Sequence, residues 1–243
     1  MIRFENVSYS YPGGGRALEG LSFSIRPGEQ VGLIGANGAG KSTLMKAALG
    51  LISTRGTITV DGMEMNRENL AKIRRAVGYV LQDSDNQMFM PTVLEDMIFG
   101  PMNYGESRET AEAMAREALE TLGISHLENK HNHRMSGGEK RMAAIATILA
   151  MKPKVMLMDE PSAALDPRNR RVLIQNLNRL PVTKLIASHD LDMVLETCDR
   201  VILISGGRIV ADGPAGELLR NRELLEANNL ELPFCLAGAP EGR

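Results

Sequence analysis

The stretch "GLIGANGAGKSTLMKAALG", Gly32 to Gly50, decides the fold. It opens as a buried apolar strand and closes as a helix, and between them Gly35, Gly38 and Gly40 crowd ahead of Lys41. A plain turn needs one glycine or two, so this density requires something to approach the backbone closely. Gly35–Ser42 fits G-x-x-x-x-G-K-[ST] after an expected strand and before an expected helix, the context that the pattern demands. Successive backbone N–H groups can converge there on phosphate oxygens, and the helix start adds its positive end. Lys41 is placed to reach the β- and γ-phosphates, and the Ser42 hydroxyl to ligate Mg2+. A glycine-rich turn with a chance lysine does not account for that context. The expectation is a nucleoside triphosphate site.

Working outward, "IRFENVSYSY" and "GLSFSI" alternate as half-buried strands, and "EQVGLIG" reads as a buried one. "GTITVDG" and "VGYVLQ" add further short strands. From Asp83 to Met135 the character turns helical, through "TVLEDMIFG" and "SRETAEAMAREALETLG". Ser107 opens the second of these helices as a cap, and Gly123 closes it. β-alternation then resumes: "GGEKRMAAIATILAMKP" is a helix, "KVMLMDEP" a strand, "PRNRRVLIQNLNRL" a helix and "KLIASH" a strand. A helix through "DLDMVLETC" follows, then a hairpin of "RVILIS" and "RIVADG" around Gly206-Gly207. Strands alternating with helices give an α/β fold with a mainly parallel sheet. The N-terminal and C-terminal hairpin-like segments are expected to add antiparallel edges. The organisation expected is one domain over 1–243, with a helical subdomain insertion at 83–135 and a tail at 221–243, loose over "CLAGAPEGR".

The chain has 243 residues, 43% hydrophobic and 24% charged, with net charge −2, so no basic nucleic-acid surface is indicated. Cys198 and Cys235 have no metal-like spacing and read as free thiols of a reducing compartment. The first residues look like a strand rather than a signal peptide. No apolar run approaches the ~20 residues of a membrane span, so work at a membrane would need a partner's span.

Other segments refine the nucleotide. A guanine-reading N-K-x-D is missing: Asn129-Lys130-His131-Asn132 ends in an amide and reads as loop sequence. Tyr11, in "YSYPGGG", can stack on adenine, a contact of ~1–3 kcal/mol that needs no base-edge code. "VMLMDEP" puts Asp159 and Glu160 at the end of a buried strand, where two carboxylates are costly unless a cation or substrate uses them. Asp159 is placed to help hold Mg2+, and Glu160 to polarise an attacking water. In "MSGGEK", Ser136 and two glycines open a helix, a second anion site on a chain with one cradle. Such a site makes sense if it serves another molecule. His126, His131 and His133 read as surface loop residues.

With these motifs in order, the chain resembles the ATP-binding-cassette (ABC) ATPases over nearly its full length. Gly35 to Thr43 look like the Walker A loop, and Val155 to Glu160 like the Walker B strand with its catalytic glutamate. Ser136, Gly137 and Gly138 match the signature, Gln82 the Q-loop, Asp166 in "SAALD" the D-loop, His189 the switch histidine and Tyr11 the A-loop aromatic. Met135 and Glu139 stand where leucine and glutamine are usual. The resemblance implies a P-loop NTPase core that binds ATP and Mg2+. It implies catalysis by Glu160, His189 and Gln82, with Ser42, Gln82 and Asp159 toward the metal. The nucleotide would touch Tyr11, Asn37, Gly38, Ala39, Gly40, Lys41, Ser42 and Thr43, and a second chain's Ser136, Gly137 and Gly138.

"VGYVLQDSDNQMFMPTVLEDMIFGPMNYG" is further similar to energy-coupling-factor (ECF) transporter ATPases, with the second glutamine Gln87 and an F-G-P-x-N segment at Phe99–Asn103. Within that group, "YPGGGRALEGLSFSI" looks most like the cobalt-transport ATP-binding subunits. Leu81 and Ser84 depart from the usual phenylalanine and proline, and a long C-terminal domain is lacking. The resemblance implies a homodimer or heterodimer with a second cassette, and integral membrane subunits, one capturing the substrate, that seat a helix in the groove at Gln87–Asn103. No nucleic-acid partner is implied. The place implied is the cytoplasmic face of the membrane. Cobalt, nickel, biotin and other vitamins stay open as cargo, as do another ABC transporter class and a soluble cassette ATPase.

Overall fold

In the computed structural model, residues 1–237 are described. The strands and helices run β1 (Ile2–Ser10), β2 (Arg16–Ile25), β3 (Gln30–Ile34), α1 (Lys41–Ala48), β4 (Arg55–Val60), β5 (Met63–Glu64) and α2 (Leu70–Ala76). There follow β6 (Val77–Val80), α3 (Val93–Asn103), α4 (Arg108–Thr121), α5 (Gly137–Ala150), β7 (Val155–Asp159) and α6 (Pro167–Arg179). The chain closes with β8 (Thr183–Ala187), α7 (Leu191–Thr197), β9 (Arg200–Ser205), β10 (Arg208–Pro214), α8 (Ala215–Leu218) and α9 (Arg222–Glu226). Two compact units result, one of Met1–Arg74 with Val182–Arg243, the other of Arg75–Pro181.

In the first unit, β1 buries Ile2, Phe4 and Val7 and turns Arg3 and Glu5 to solvent, the period-two pattern read from the sequence. Phe4 lies opposite Phe23 of β2, their rings stacked at 4.4 Å. Each such burial contributes roughly 1.5–3 kcal/mol. The β1 register slips between Phe4 and Val7, where Asn6 takes a left-handed φ of 52°. The N-terminal strands do not edge the parallel sheet. They form a sheet of their own, in the order β2-β1-β4-β5. The reason is their one-sided alternation, which suits an antiparallel sheet with one solvated face. The C-terminal hairpin does supply an antiparallel edge, β10 on β9. β3 runs parallel between β8 and β9. Its apolar run is buried from Val31 to Ile34, as strands covered on both faces require.

In the second unit, β6 and β7 pair in parallel, and all five β7 residues are buried. The helices expected within 83–135 lie here and pack on α5. α4 buries Ala111, Ala115, Ala118 and Leu119, an i, i+4, i+7, i+8 stripe. Ser107 caps it by accepting from the Thr110 amide, and Gly123 leaves it at φ 68°. Thr92 and Glu95 close a capping box on α3. α5 is buried on most sides, with Met142, Ala143, Ala144, Ile145 and Ala146 all inside.

The tail at 221–243 contains α9, and its Phe234 and Cys235 amides each donate to the Asp192 carboxylate at 2.9 Å. Of the stretch expected to be loose, residues 238–243 lie outside the described residues. Cys198 is buried and Cys235 exposed, both as free thiols.

Candidate nucleotide site

In the first unit the cradle follows β3, and His189 follows the adjacent parallel strand β8. Leu33 pairs with Ala187, so both segments leave the sheet at the same end. The loop can be traced by glycine alone at two points. A side chain at Gly35 would put its Cβ 2.2 Å from the Ile204 carbonyl oxygen, and at Gly40, φ 113°, 2.5 Å from the Ala17 oxygen. α1 then begins at Gly40 with no side chain capping its first amides. A bare helix tip inside a glycine loop is an anion site. Lys41 is 7% exposed, and its ammonium donates to the Gly35 carbonyl at 2.6 Å and the Ala36 carbonyl at 3.3 Å. Ser42, Asn37 and Gly38 are exposed, whereas Ala39 and Thr43 are buried. Tyr11 is 42% exposed and shares a 3.2 Å hydrogen bond with the Thr43 hydroxyl, which fixes its ring beside the first turn of α1. Tyr9 meets that ring edge-on at 4.9 Å. His189 is exposed on the connection from β8 to α7.

In the second unit, Gln82 follows β6, and Asp159 and Glu160 end the neighbouring β7. Val80 pairs with Met158, so these groups too sit at one end of two parallel strands. Gln82, Asp159 and Gly137 line one cavity of about 550 Å³. Asp159 is 5% exposed and accepts a 3.2 Å hydrogen bond from the Tyr79 phenol. Burial raises the Tyr79 pKa, and the Asp159 charge adds to it, so the phenol stays a donor. Glu160 is 7% exposed and holds a left-handed φ of 47°; Ala164 in "SAALD" does so at 60°. Such backbone costs of order 1–3 kcal/mol and clusters at functional sites.

Ser136 caps α5 within a full capping box: its hydroxyl accepts from the Glu139 amide, and the Glu139 carboxylate accepts from the Ser136 amide at 2.8 Å. Lys130 donates to both Glu139 oxygens, at 2.8 and 2.9 Å. Lys130 first, then the Ser136 amide, pull the Glu139 pKa down to about 2. Gly138 packs on Asn169, which a Cβ there would approach to 2.3 Å, while a Cβ at Gly137 would meet nothing within 4 Å. Asp166 caps α6, accepting from the Asn169 amide at 2.9 Å. Asn132 donates to Asp96 at 2.6 Å and to the Met90 carbonyl, which accounts for the amide ending the guanine-like segment.

Each unit thus gathers its own share of the expected residues. The first holds Tyr11, Asn37 to Thr43 and His189; the second holds Gln82, Ser136, Gly137, Gly138, Asp159 and Glu160. Sequence reasoning missed Tyr79 and Arg141, whose contacts cross between segments far apart in sequence. For Tyr79, its place on the strand leading into Gln82 is the one available signal.

The ABC transporter family pattern matches residues 18–163. A Geobacter sulfurreducens protein named "Putative ABC transporter ATP-binding protein" is 45% identical over 99% of this chain and 97% of its own length. An energy-coupling factor transporter ATP-binding protein, EcfA, of Methanothermobacter thermautotrophicus is 42% identical over 96% of this chain and 77% of its own. Among solved structures, the chain is similar to CbiO1 from Clostridium perfringens, described as part of the ABC transporter complex CbiONQ. That match has 35% identity and a TM-score of 0.82 over 96% of both chains. With cradle, fold and relatives in agreement, the chain belongs to the ABC transporter family, as an ATP-binding member.

Proposed function

We propose that this chain is the ATP-hydrolysing subunit of an ECF-type micronutrient importer, working as a dimer on the cytoplasmic side of a membrane partner. One observation carries the nucleotide-site reading on which hydrolysis rests: a helix tip with no side-chain cap, behind a loop that leaves room for glycine alone at Gly35 and Gly40, with Lys41 in its first turn. The tip, Lys41 and Thr43 bind the triphosphate, and Tyr11 orients the adenine by stacking. Glu160 takes a proton from water as its oxygen bonds to the γ-phosphorus and the bond to the β-phosphate oxygen breaks, leaving ADP and phosphate. His189 steadies the γ-phosphate.

The residues that the family resemblance implies for Mg2+ all carry hard oxygen donors: the Ser42 hydroxyl, the Gln82 amide and the Asp159 carboxylate, one of whose oxygens accepts from Tyr79. No cluster of three or more His, Cys, Asp or Glu occurs among the described residues. This fits an ion that is held largely by substrate phosphates. When bound, Mg2+ offsets charge on the phosphates.

The dimer reading is supported by Gly137. Its Cβ direction is empty, so nothing inside the chain requires glycine there, whereas an incoming phosphate does. The ECF reading is supported by the relatives named EcfA and by an apolar patch in the expected groove. There Phe89 is 64% exposed and crosses Phe99 at 5.0 Å, with Met102 also exposed. No helix among the described residues is long and apolar enough to cross a membrane, so the membrane span would belong to the partner. Cobalt or nickel is the proposed cargo, ahead of biotin or another vitamin.

The test is Glu160→Gln, which should slow hydrolysis at least roughly 100-fold, about 2.7 kcal/mol of barrier, while ATP still drives dimerisation. Near-normal turnover would overturn the base assignment. Co-purification with a membrane subunit checks the transport reading.

A further inference from the structure

We propose that Arg141 and Gln87 are positioning residues that bolt the Leu81–Gln82 backbone to α5, so that Gln82 and the Ser136 tip move as one piece and each nucleotide site senses the other. This rests on the dimer reading above and adds to it the means by which the two sites are coupled.

Arg141 lies one turn into α5, past Ser136, and is 4% exposed. Its guanidinium donates to the Leu81 carbonyl at 2.7 Å and also to the Gln82 carbonyl. Gln87 grips the same segment from the other side. Its Oε1 accepts from the Leu81 amide at 3.0 Å, and its Nε2 donates to the Ala144 carbonyl of α5 at 2.6 Å. Both polar groups of Leu81 are therefore held, and every hold ends on the same helix. Lys140 adds an outer tie to Asp85 at 2.5 Å, solvent-exposed and worth little by itself.

Stability alone is a poor explanation for Arg141. A buried guanidinium facing carbonyls rather than a carboxylate is expensive to desolvate. Its Nε is buried without a partner, and burial lowers its pKa against the opposing pull of nearby Asp83. What the fork geometry supplies is two fixed bonds to consecutive carbonyls, a hold that a single donor cannot give. On the dimer reading, the family resemblance assigns the Q-loop segment to this chain's own nucleotide and the Ser136 tip to the partner's. A rigid link between them makes occupancy of one site change the readiness of the other, which is what a coupling free energy requires.

The test uses the full chain in a Glu160→Gln background with Arg141→Met, Arg141→Lys and Gln87→Met. Amide hydrogen exchange at Leu81 should rise at least about tenfold in Gln87→Met, which removes the acceptor of that amide, and should also rise in Arg141→Met as the segment loosens from α5. Monomer affinity for ATP should stay near the parent's at a temperature where each variant is shown to be folded, although the lost hydrogen bonds lower the thermal midpoint. The ATP-driven dimer should weaken roughly 5- to 100-fold, the range of a typical site-to-site coupling. Lysine, reaching one carbonyl, should restore part of it. Faster exchange with undiminished dimerisation would make the clamp mere local packing and overturn the proposal, as would unchanged exchange. Should Arg141→Met fail to fold, Gln87→Met, at a half-buried position, decides alone. A parent chain that shows no ATP-driven dimer would sink the dimer reading beneath; exchange at Leu81 still reports the clamp, so the two failures are told apart.

Discussion

Helices α1 and α5 both begin in glycine-rich sequence, yet their first turns are finished in opposite ways. At α1 the N-cap is Gly40, in a left-handed conformation, and no side chain answers the first amides. At α5 the Ser136 hydroxyl and the Glu139 carboxylate answer them, and Lys130 neutralises that carboxylate. The bare tip is incomplete without an anion. The capped tip has its Ser136 hydroxyl engaged with Glu139 in the folded chain, while Gly137 stays exposed beside it. On the proposed dimer reading, the contrast separates a site that grips its ligand from one that finishes another chain's grip.

The widest break in that contrast is Ser136→Arg. A bulky cation on the capped tip should reduce turnover at least roughly 100-fold, about 2.7 kcal/mol, and leave ATP binding by the single chain intact. Loss of both together in a demonstrably folded monomer would count against service in trans. A second, smaller break compares alanine at two glycines. Gly40→Ala forces a Cβ toward the Ala17 oxygen at an unfavourable φ and should weaken ATP affinity by at least about tenfold, 1.4 kcal/mol. Gly137→Ala enters open space and should leave monomer affinity unchanged while weakening the ATP-driven dimer. Equal losses of monomer affinity, read with a fluorescent nucleotide, would erase the distinction.

The bare tip was legible in the sequence because its determinants are contiguous: glycine spacing, one lysine, an apolar strand before and a helix after. The long elements were legible for the same reason, since α4 repeats its apolar face and β7 is a solid apolar run. β5 escaped because it is two residues long, and α2 because it buries Ile73 alone and so has no stripe. The hold on Leu81 spans some sixty residues of sequence from Arg141, a contact that only the folded chain creates. The left-handed backbone at Glu160 and Ala164 also went unseen, because neither residue type favours positive φ. Met135 and Glu139, read as departures from the signature, find ordinary places: Met135 is buried, and Glu139 completes the box.

The finest test bears on that box. The Glu139 pKa falls from 4.5 to about 2, with the Lys130 hydrogen bond the largest cause. A carboxylate depressed in the folded state stabilises it above the unfolded pKa, and that contribution fades as pH falls from about 4.5 toward 2. The pair is partly solvated, so the contribution is at most about 1 kcal/mol. Glutamine at 139 keeps an acceptor for the Ser136 amide but cannot titrate. Glu139→Gln should therefore be slightly less stable at pH 6 and lose less stability than the parent between pH 5 and pH 3, in urea melts at fixed ionic strength. Parallel pH profiles would mean that the carboxylate's charge does nothing for the capped tip. The contrast with α1 would then rest on the Ser136 hydroxyl alone.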